Sequence, residues 1–310
     1  VVAGGLLVAL ASAVAVADDR VDVTAAVADV ASPHDVATLA QSGAPVFVLP
    51  PVRVVATSPL PGDGVPPDRV PANVRLVPAS EVGQYLTVTV AGALEQRFGS
   101  VGRNDVQGNP FQPDLQYRGF TASPLLGAPQ GIAVYQDGVR LNESFGDTVQ
   151  WDLVPEFALD TVELLPGSNP VFGLNALGGA IALDMKSGFT WRGAEVEAYG
   201  GSFGRRVFTA QLGGVVPDVA GGALAGYVGG RALDEDGWRD FSPSRLRQLY
   251  ASAGWRDAAS ELTLAITAAD DALTGNGATP VGLLAIDRRR VFTHPDLTKN
   301  RLAQLALSGS

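Results

Sequence analysis

The chain has 310 residues, no cysteine, two histidines and a formal net charge of -10. Without thiols it has neither a disulfide framework nor a thiolate metal site, and His34 and His294 are too few for an imidazole cluster. The acidic balance argues against nucleic acid as a partner, because such binders present a basic face; runs such as Arg288-Arg289-Arg290 read as solvated loop charge.

Val1 to Ala17 is apolar, carries no charge and closes on Ala15-Val16-Ala17 before Asp18-Asp19-Arg20. An apolar core ending in A-x-A reads as the remnant of a secretory signal, in preference to a buried helix. The initiating Met and basic start are missing, so the chain is expected to be clipped there. Residues 18–50 show no clean period and are expected to be mobile. Pro50 to Pro59 holds a short β-favouring stretch, and the prolines and glycines of 59–71 make a stiff linker.

A compact domain is expected over 72–187. Val74 to Val77 is a strand candidate, and Ser80 caps a short helix. Thr89 caps a second helix whose Val90, Leu94 and Phe98 share one face and which Gly99 stops. Gln116 to Phe120 reads as one strand. Ile132 to Gln136, Asp137-Gly138 and Val139 to Leu141 form a tight hairpin, since Asp-Gly tolerates the positive φ angles of a type I′ turn. Thr161 to Leu165 and Ala180 to Met185 are further strands, separated by a glycine-rich stretch over 166–179.

From 193 the texture changes to a period of two. Phe208, Ala210 and Leu212 alternate with Thr209 and Gln211; Leu249, Ala251, Ala253 and Trp255 alternate with Gln248, Tyr250, Ser252 and Gly254. One polar and one apolar face is the strand signature. From about 213 the connections alternate between short (217–222, 257–260) and long (234–245, 271–300), as in transmembrane barrels, which place short turns on the periplasmic side and long loops outside. A soluble β-sandwich is the competing reading.

Three segments then resemble the plug of TonB-dependent outer-membrane receptors. They are Leu115-Gln116-Tyr117-Arg118-Gly119-Phe120, Tyr135-Gln136-Asp137-Gly138-Val139, and Val162-Glu163-Leu164-Leu165-Pro166-Gly167 through Gly178-Gly179-Ala180-Ile181. Their order matches the family pattern, and Phe172 stands where the family commonly has Tyr. The resemblance covers about 52–310. It implies a mixed α/β plug domain (72–187) followed by an incomplete antiparallel transmembrane β-barrel (193–310), behind a signal remnant (1–17) and a periplasmic segment (18–71). Family barrels have many more strands than this chain supplies, and open edges are not tolerated in lipid. A gene fragment is therefore expected.

The resemblance implies energised uptake of a scarce nutrient across the bacterial outer membrane. Its partners would be the TonB coupling protein, membrane lipid and a small substrate, most commonly a ferric siderophore. Cobalamin, haem and oligosaccharides stay open. Two turn-rich segments mixing aromatics with amides are candidate substrate-facing apices: one holds Asn109, Phe111 and Gln112, the other Asn142, Phe145, Asp147 and Trp151. The bland alternative is that Phe111, Phe145 and Trp151 pack the plug against the barrel. Val52, Val54, Val55 and Thr57 are the coupling candidates, because an extended stretch there suits strand addition to the energising partner.

No catalytic residue, metal site or cofactor is expected. Gly200-Gly201-Ser202-Phe203-Gly204 fits G-x-S-x-G, but that elbow needs a helix after it, and Arg205 to Gly214 alternates like a strand. The glycines of 166–179 lack both phosphate-loop spacings and are read as close packing of plug backbone on the barrel wall. Asp234-Glu235-Asp236-Gly237 lacks the spacing of a calcium loop and reads as solvated external loop. The rival functions are a non-transporting signalling or adhesion barrel and a secreted β-rich hydrolase resting on Ser202.

Overall fold

The computed structural model describes residues 73–78 and 89–309. The signal remnant, the linker, the Ser80 cap and the coupling candidates Val52, Val54, Val55 and Thr57 lie outside the described residues.

The first part of the described chain runs through β1 (Arg75–Pro78), α1 (Val90–Arg97), β2 (Val101–Asn104), β3 (Asp114–Tyr117), β4 (Phe120–Ala122), β5 (Ile132–Gln136), β6 (Val139–Arg140), β7 (Leu159–Pro166) and β8 (Gly179–Met185). Thr89 caps α1: its side chain accepts from the Gly92 N–H at 3.2 Å, which satisfies one of the donors a helix start leaves free. Val90 and Leu94 are buried as their spacing predicts, and the helix ends where Phe98 turns extended, one residue before Gly99.

The chain builds two small sheets here. One has the order β1-β7-β8-β5-β6, with β5 parallel to β8 and the other pairs antiparallel; the second is β2-β3-β4. All of β5 is buried, so it reads as an apolar run rather than an alternator. The Asp137-Gly138 hairpin forms with φ +47° and +79°. The single strand expected over Gln116 to Phe120 is instead a hairpin. Arg118 and Gly119 take φ +51° and +86° and turn β3 back into β4, because a left-handed pair cannot continue an extended strand.

The second part is one antiparallel meander: β9 (Gly193–Gly200), β10 (Arg206–Val219), β11 (Gly222–Glu235), β12 (Ser244–Arg256), β13 (Glu261–Thr274) and β14 (Leu297–Gly309), each pairing with its neighbours in sequence. The sheet is open, with β9 and β14 at its edges. Residues 201–205, 236–243 and 275–296 connect strands at one end, the last containing α2 (Val281–Ile286); 220–221 and 257–260 connect them at the other. The strands outrun the sequence reading. Asp234 and Glu235 belong to β11, Ser244 and Arg245 to β12, and residues 271–274 to β13. Glu235 is thus no solvated loop residue: it is buried and ion-pairs with Arg205 at 2.6 Å.

Residues opposite one another across strands share a face, and the register sorts the meander into rows. On the outward face the rows are Ala210, Gly230, Leu249, Ala268 and Ala303; Leu212, Val228, Ala251, Ile266 and Leu305; Gly214, Gly226, Ala253, Leu264 and Leu307; and Val216, Leu224, Trp255, Leu262 and Gly309. None carries a charge, although Leu305 is 70% exposed and Leu307 69%. The inward face of the same strands presents Tyr227, Gln248, Tyr250, Ser252 and Thr267, all buried. What buries them is the first domain. Tyr227, Tyr250 and Ala265 join its main core cluster with Trp151, Leu159 and Leu183.

Candidate functional site

The seven candidate ligand residues fall into two environments. Asn109, Phe111 and Gln112 are almost fully buried where the first domain meets the sheet, at the end carrying the long connections. Asn109 donates from Nδ2 to Ser244 Oγ at 2.9 Å and to the Thr274 carbonyl at 3.0 Å, while its Oδ1 accepts from the Phe111 N–H. Phe111 packs on Val207, Leu233, Leu246 and Leu273. Just above, Gly277 N–H donates to the Gln107 carbonyl. Arg239 reaches from 236–243 to the Gly277 carbonyl at 2.7 Å and to Thr279 Oγ1, and Phe241 stacks on His294. Two long connections are thereby knitted together over the 105–112 turn. Trp151 is also interior, donating from its indole N–H to the Ala122 carbonyl at 3.1 Å.

Asn142 and Asp147 line an open cleft of about 610 Å³ together with Gln130, Arg140, Glu143 and Asn175, and Phe145 sits between its lining residues Ser144 and Gly146. Its floor is tied down by charge and amide contacts. Arg140 pairs with Asp147 at 3.0 Å and donates to the Leu174 carbonyl at 2.7 Å; Asn175 donates to the other Asp147 oxygen at 2.9 Å. Asn142 accepts from the Val134 N–H and donates to the Ile132 and Asp147 carbonyls, so it holds the cleft to β5. Leu174 in the cleft's lining is 85% exposed, and neighbouring Phe145 78%. A positively charged fork, amides and uncovered apolar side chains converge here, which is how small-molecule sites are furnished.

Three carboxyls that seat the domain on the sheet escaped the sequence reading. Glu156 Oε1 accepts from the Val90 N–H at 2.5 Å, at the start of α1, and Oε2 lies 3.8 Å from Arg231 of β11. Burial pushes its carboxyl up to about 8, against the pull of Arg231 and that N–H. Asp152 accepts from Asn300 of β14 at 2.8 Å, while Gln248 of β12 donates to its carbonyl at 2.6 Å. Asp137 accepts from Tyr250 at 3.0 Å and from the Met185 N–H at 2.9 Å. Burial raises each of these two to about 6, opposed at Asp152 by the Asn300 bond and at Asp137 by those from Met185 and Tyr250. No local motif marks them, since each partner on the sheet lies far along the chain. Lys186 donates to Gln211 of β10 at 3.0 Å, and burial lowers its ammonium from the ordinary value.

Glycines make the closest approaches. A Cβ on Gly188 would sit 2.3 Å from the Gly214 carbonyl oxygen and 2.6 Å from the Gly226 nitrogen, backbone to backbone. The 166–179 glycines behave differently from expectation. A Cβ on Gly178 would meet Phe120, and one on Gly179 (φ +141°) the Leu165 carbonyl, so their close packing is inside the first domain and not on the sheet.

Ser202 lies in the turn joining β9 to β10, closed by the Gly201 N–H on the Arg205 carbonyl at 2.9 Å. A strand follows it, so the strand–turn–helix context of a nucleophile elbow is missing. Among the described residues no group of His, Asp and Glu is arranged to hold a metal ion.

Residues 66–180 match the family model described as the TonB-dependent Receptor Plug Domain. Similar solved structures include the ferric yersiniabactin uptake receptor FyuA from Yersinia pestis (19% identity, TM-score 0.57, 77% of this chain and 38% of that one). Others are P. aeruginosa FpvA bound to heterologous pyoverdines (14%, 0.58, 82% and 34%) and the unliganded ferric citrate transporter FecA (15%, 0.58, 77% and 37%). At these identities the likeness is one of fold. The chain spans little more than a third of the length of these receptors. Among curated proteins no sequence matches.

Proposed function

We propose that the chain, whose residues 66–180 match the plug model of TonB-dependent receptors, joins that plug to strands of a receptor barrel and serves energised uptake of a ferric siderophore across the bacterial outer membrane. The observation that carries the reading is the inversion of the sheet. Its polar face is buried on the plug, and its uncharged rows face outward. From the Ala210 row to the Val216 row the strands rise roughly 20 Å. The apolar band of an outer-membrane barrel is about 25 Å tall. A soluble sandwich would bury those leucines against a second sheet; here they have only lipid to meet.

The substrate class is supported by what the similar receptors are named for: ferric yersiniabactin, pyoverdine and ferric citrate. Within this chain the Arg140–Asp147 cleft, with Asn142, Phe145 and Asn175, is the better furnished ligand surface. Asn109, Phe111, Gln112 and Trp151 hold the plug in shape. The mechanism asks for no bond chemistry. Substrate docks on the plug, and the partner pulls on the segment around Val52, Val54, Val55 and Thr57. The seat of Asp152, Glu156 and Asp137 on the wall then gives way.

The test is iron uptake against iron binding in cells producing the receptor. Val54→Pro removes a main-chain donor from the added strand. It should abolish uptake of a labelled ferric siderophore and leave surface binding intact. Normal uptake would refute the coupling assignment, and absence of binding by any ferric siderophore would refute the substrate class.

A further inference from the structure

We propose that the outward face of β10–β14, just beyond the apolar band on the long-connection side, is a binding site for a phosphate-bearing membrane lipid. The inference rests on the reading that this face lies in a bilayer.

The row above the band runs Arg206, Asp234, Arg245, Ala272 and Lys299 across the five strands. Next to it stand Arg247 and the opposed pair Asp270 and Arg301. Cations outnumber anions, on a chain whose net charge is -10. The acids present are already shared. Asp270 takes Arg245 at 3.3 Å and Arg301 at 3.0 Å; Asp234 takes Arg247 at 2.6 Å. Arg301 remains 81% exposed along its side chain, and neither Arg206 nor Lys299 has an ion-pair partner in the described structure. At the opposite end of the same face the last row is Val216, Leu224, Trp255 and Leu262, without charge, so the positive excess is confined to one edge.

Beneath the arginines the face carries a shallow, open depression. About 520 Å³ of open space lies there beside Phe208 and Leu249 over the small residues Ala210, Gly230, Ala232 and Ala268, bordered by Arg247 and Asp270. Missing side-chain volume on a lipid-facing strand is filled by acyl chain. Guanidinium forks bind phosphate oxygens in a bidentate manner and are more weakly hydrated than ammonium. A headgroup phosphate bridging Arg245, Arg247 and Arg301, with its chain lying over the small residues below, answers both features at once. Free phosphate answers only the first.

The test uses the full chain folded in neutral detergent micelles and native mass spectrometry with three probes: dioleoyl phosphatidic acid, dioleoylglycerol with the same chains, and inorganic phosphate. Phosphatidic acid should be retained and dioleoylglycerol not, and inorganic phosphate should not displace the lipid. R245Q/R247Q/R301Q should weaken retention roughly a hundredfold, at about fivefold per cation near a membrane surface. The triple lysine variant should keep much of it, and Asp270→Asn should strengthen it by removing a competing anion. Equal retention of dioleoylglycerol, displacement by inorganic phosphate, or an unchanged glutamine variant would overturn the site. Because the chain has no cysteine, a nitroxide on A251C reports the bilayer reading separately. Relaxation by oxygen rather than by a water-soluble nickel chelate supports it, and the reverse removes the premise. With the premise intact, loss of lipid retention counts against this inference alone.

Discussion

The two faces of β10–β13 are built from the same strands yet meet different surroundings. Outward, Leu212, Val228, Ala251 and Ile266 form one uncharged row. Inward, one residue along, Gln248, Tyr250 and Thr267 are buried and hydrogen-bonded to the plug, and Tyr227 is buried in its core cluster. In a water-soluble sheet the buried face is the apolar one. Here polarity and burial coincide, because the plug supplies partners on one side, and among the described residues none packs on the other. The core of this protein is therefore partly polar by construction, and its seat depends on paired groups rather than on area alone.

The sharpest way to break the seat is at Gly188. Gly188→Ala drives a methyl group into the backbone of Gly214 and Gly226, which cannot rotate away. A loss of about 3 kcal/mol or more is expected in urea unfolding. Gly282→Ala, with open space around its Cβ, should leave the midpoint unchanged. The outward face is next. Ala251→Arg should cost about 2–4 kcal/mol when folding is measured into lipid vesicles. Neighbouring Ser252→Ala loses a 3.3 Å bond to the Lys186 carbonyl and a contact with the Tyr250 hydroxyl, and should cost about 1 kcal/mol. Comparable costs at 251 and 252 would show that the faces do not differ as described.

Asn109→Leu removes the two bonds to Ser244 and Thr274 and the turn bond to Phe111. It should cost about 1–3 kcal/mol and speed amide exchange over 105–112 and 275–277. The finest test is one of slope. Asp152 has a folded pKa near 6, raised from the ordinary 3.8 by burial. Its contribution to stability is thus fully present below about pH 4 and lost as pH rises through about 6. Thermal melting should rise as pH falls from 8 to 5. Asp152→Asn should flatten that rise while leaving the midpoint at pH 5 little altered; an unchanged slope would assign it to Asp137 or Glu156.

Local chemistry was legible in the sequence wherever it acts over a few residues. The Thr89 cap, the Asp137-Gly138 turn and the period-two strands all form as read. The errors came where one residue could continue or reverse a strand, as at Arg118-Gly119, and where alternation does not mark strand ends, as at Glu235 and Ser244. The candidate ligand set was assembled by composition, which could not separate Phe111, sunk among Leu233 and Leu246, from Phe145, open to solvent. Both are aromatics in turn-rich segments. Only the surface opposite each one distinguishes them.

By itself, then, the sequence determined which residues alternate, where the tight turns fall and that one face of the second half must avoid water. Those follow from backbone geometry and side-chain transfer energies that neighbours in the chain already express. Tertiary structure alone decided that the polar face would be the buried one, that Asn109 would find Ser244 and Asp152 would find Asn300, and that five strands would gather scattered arginines into one basic edge. The physical reason is register. A contact across a sheet or between domains is fixed by which strands pair and by how many residues they slide, and no window of neighbouring residues contains that number.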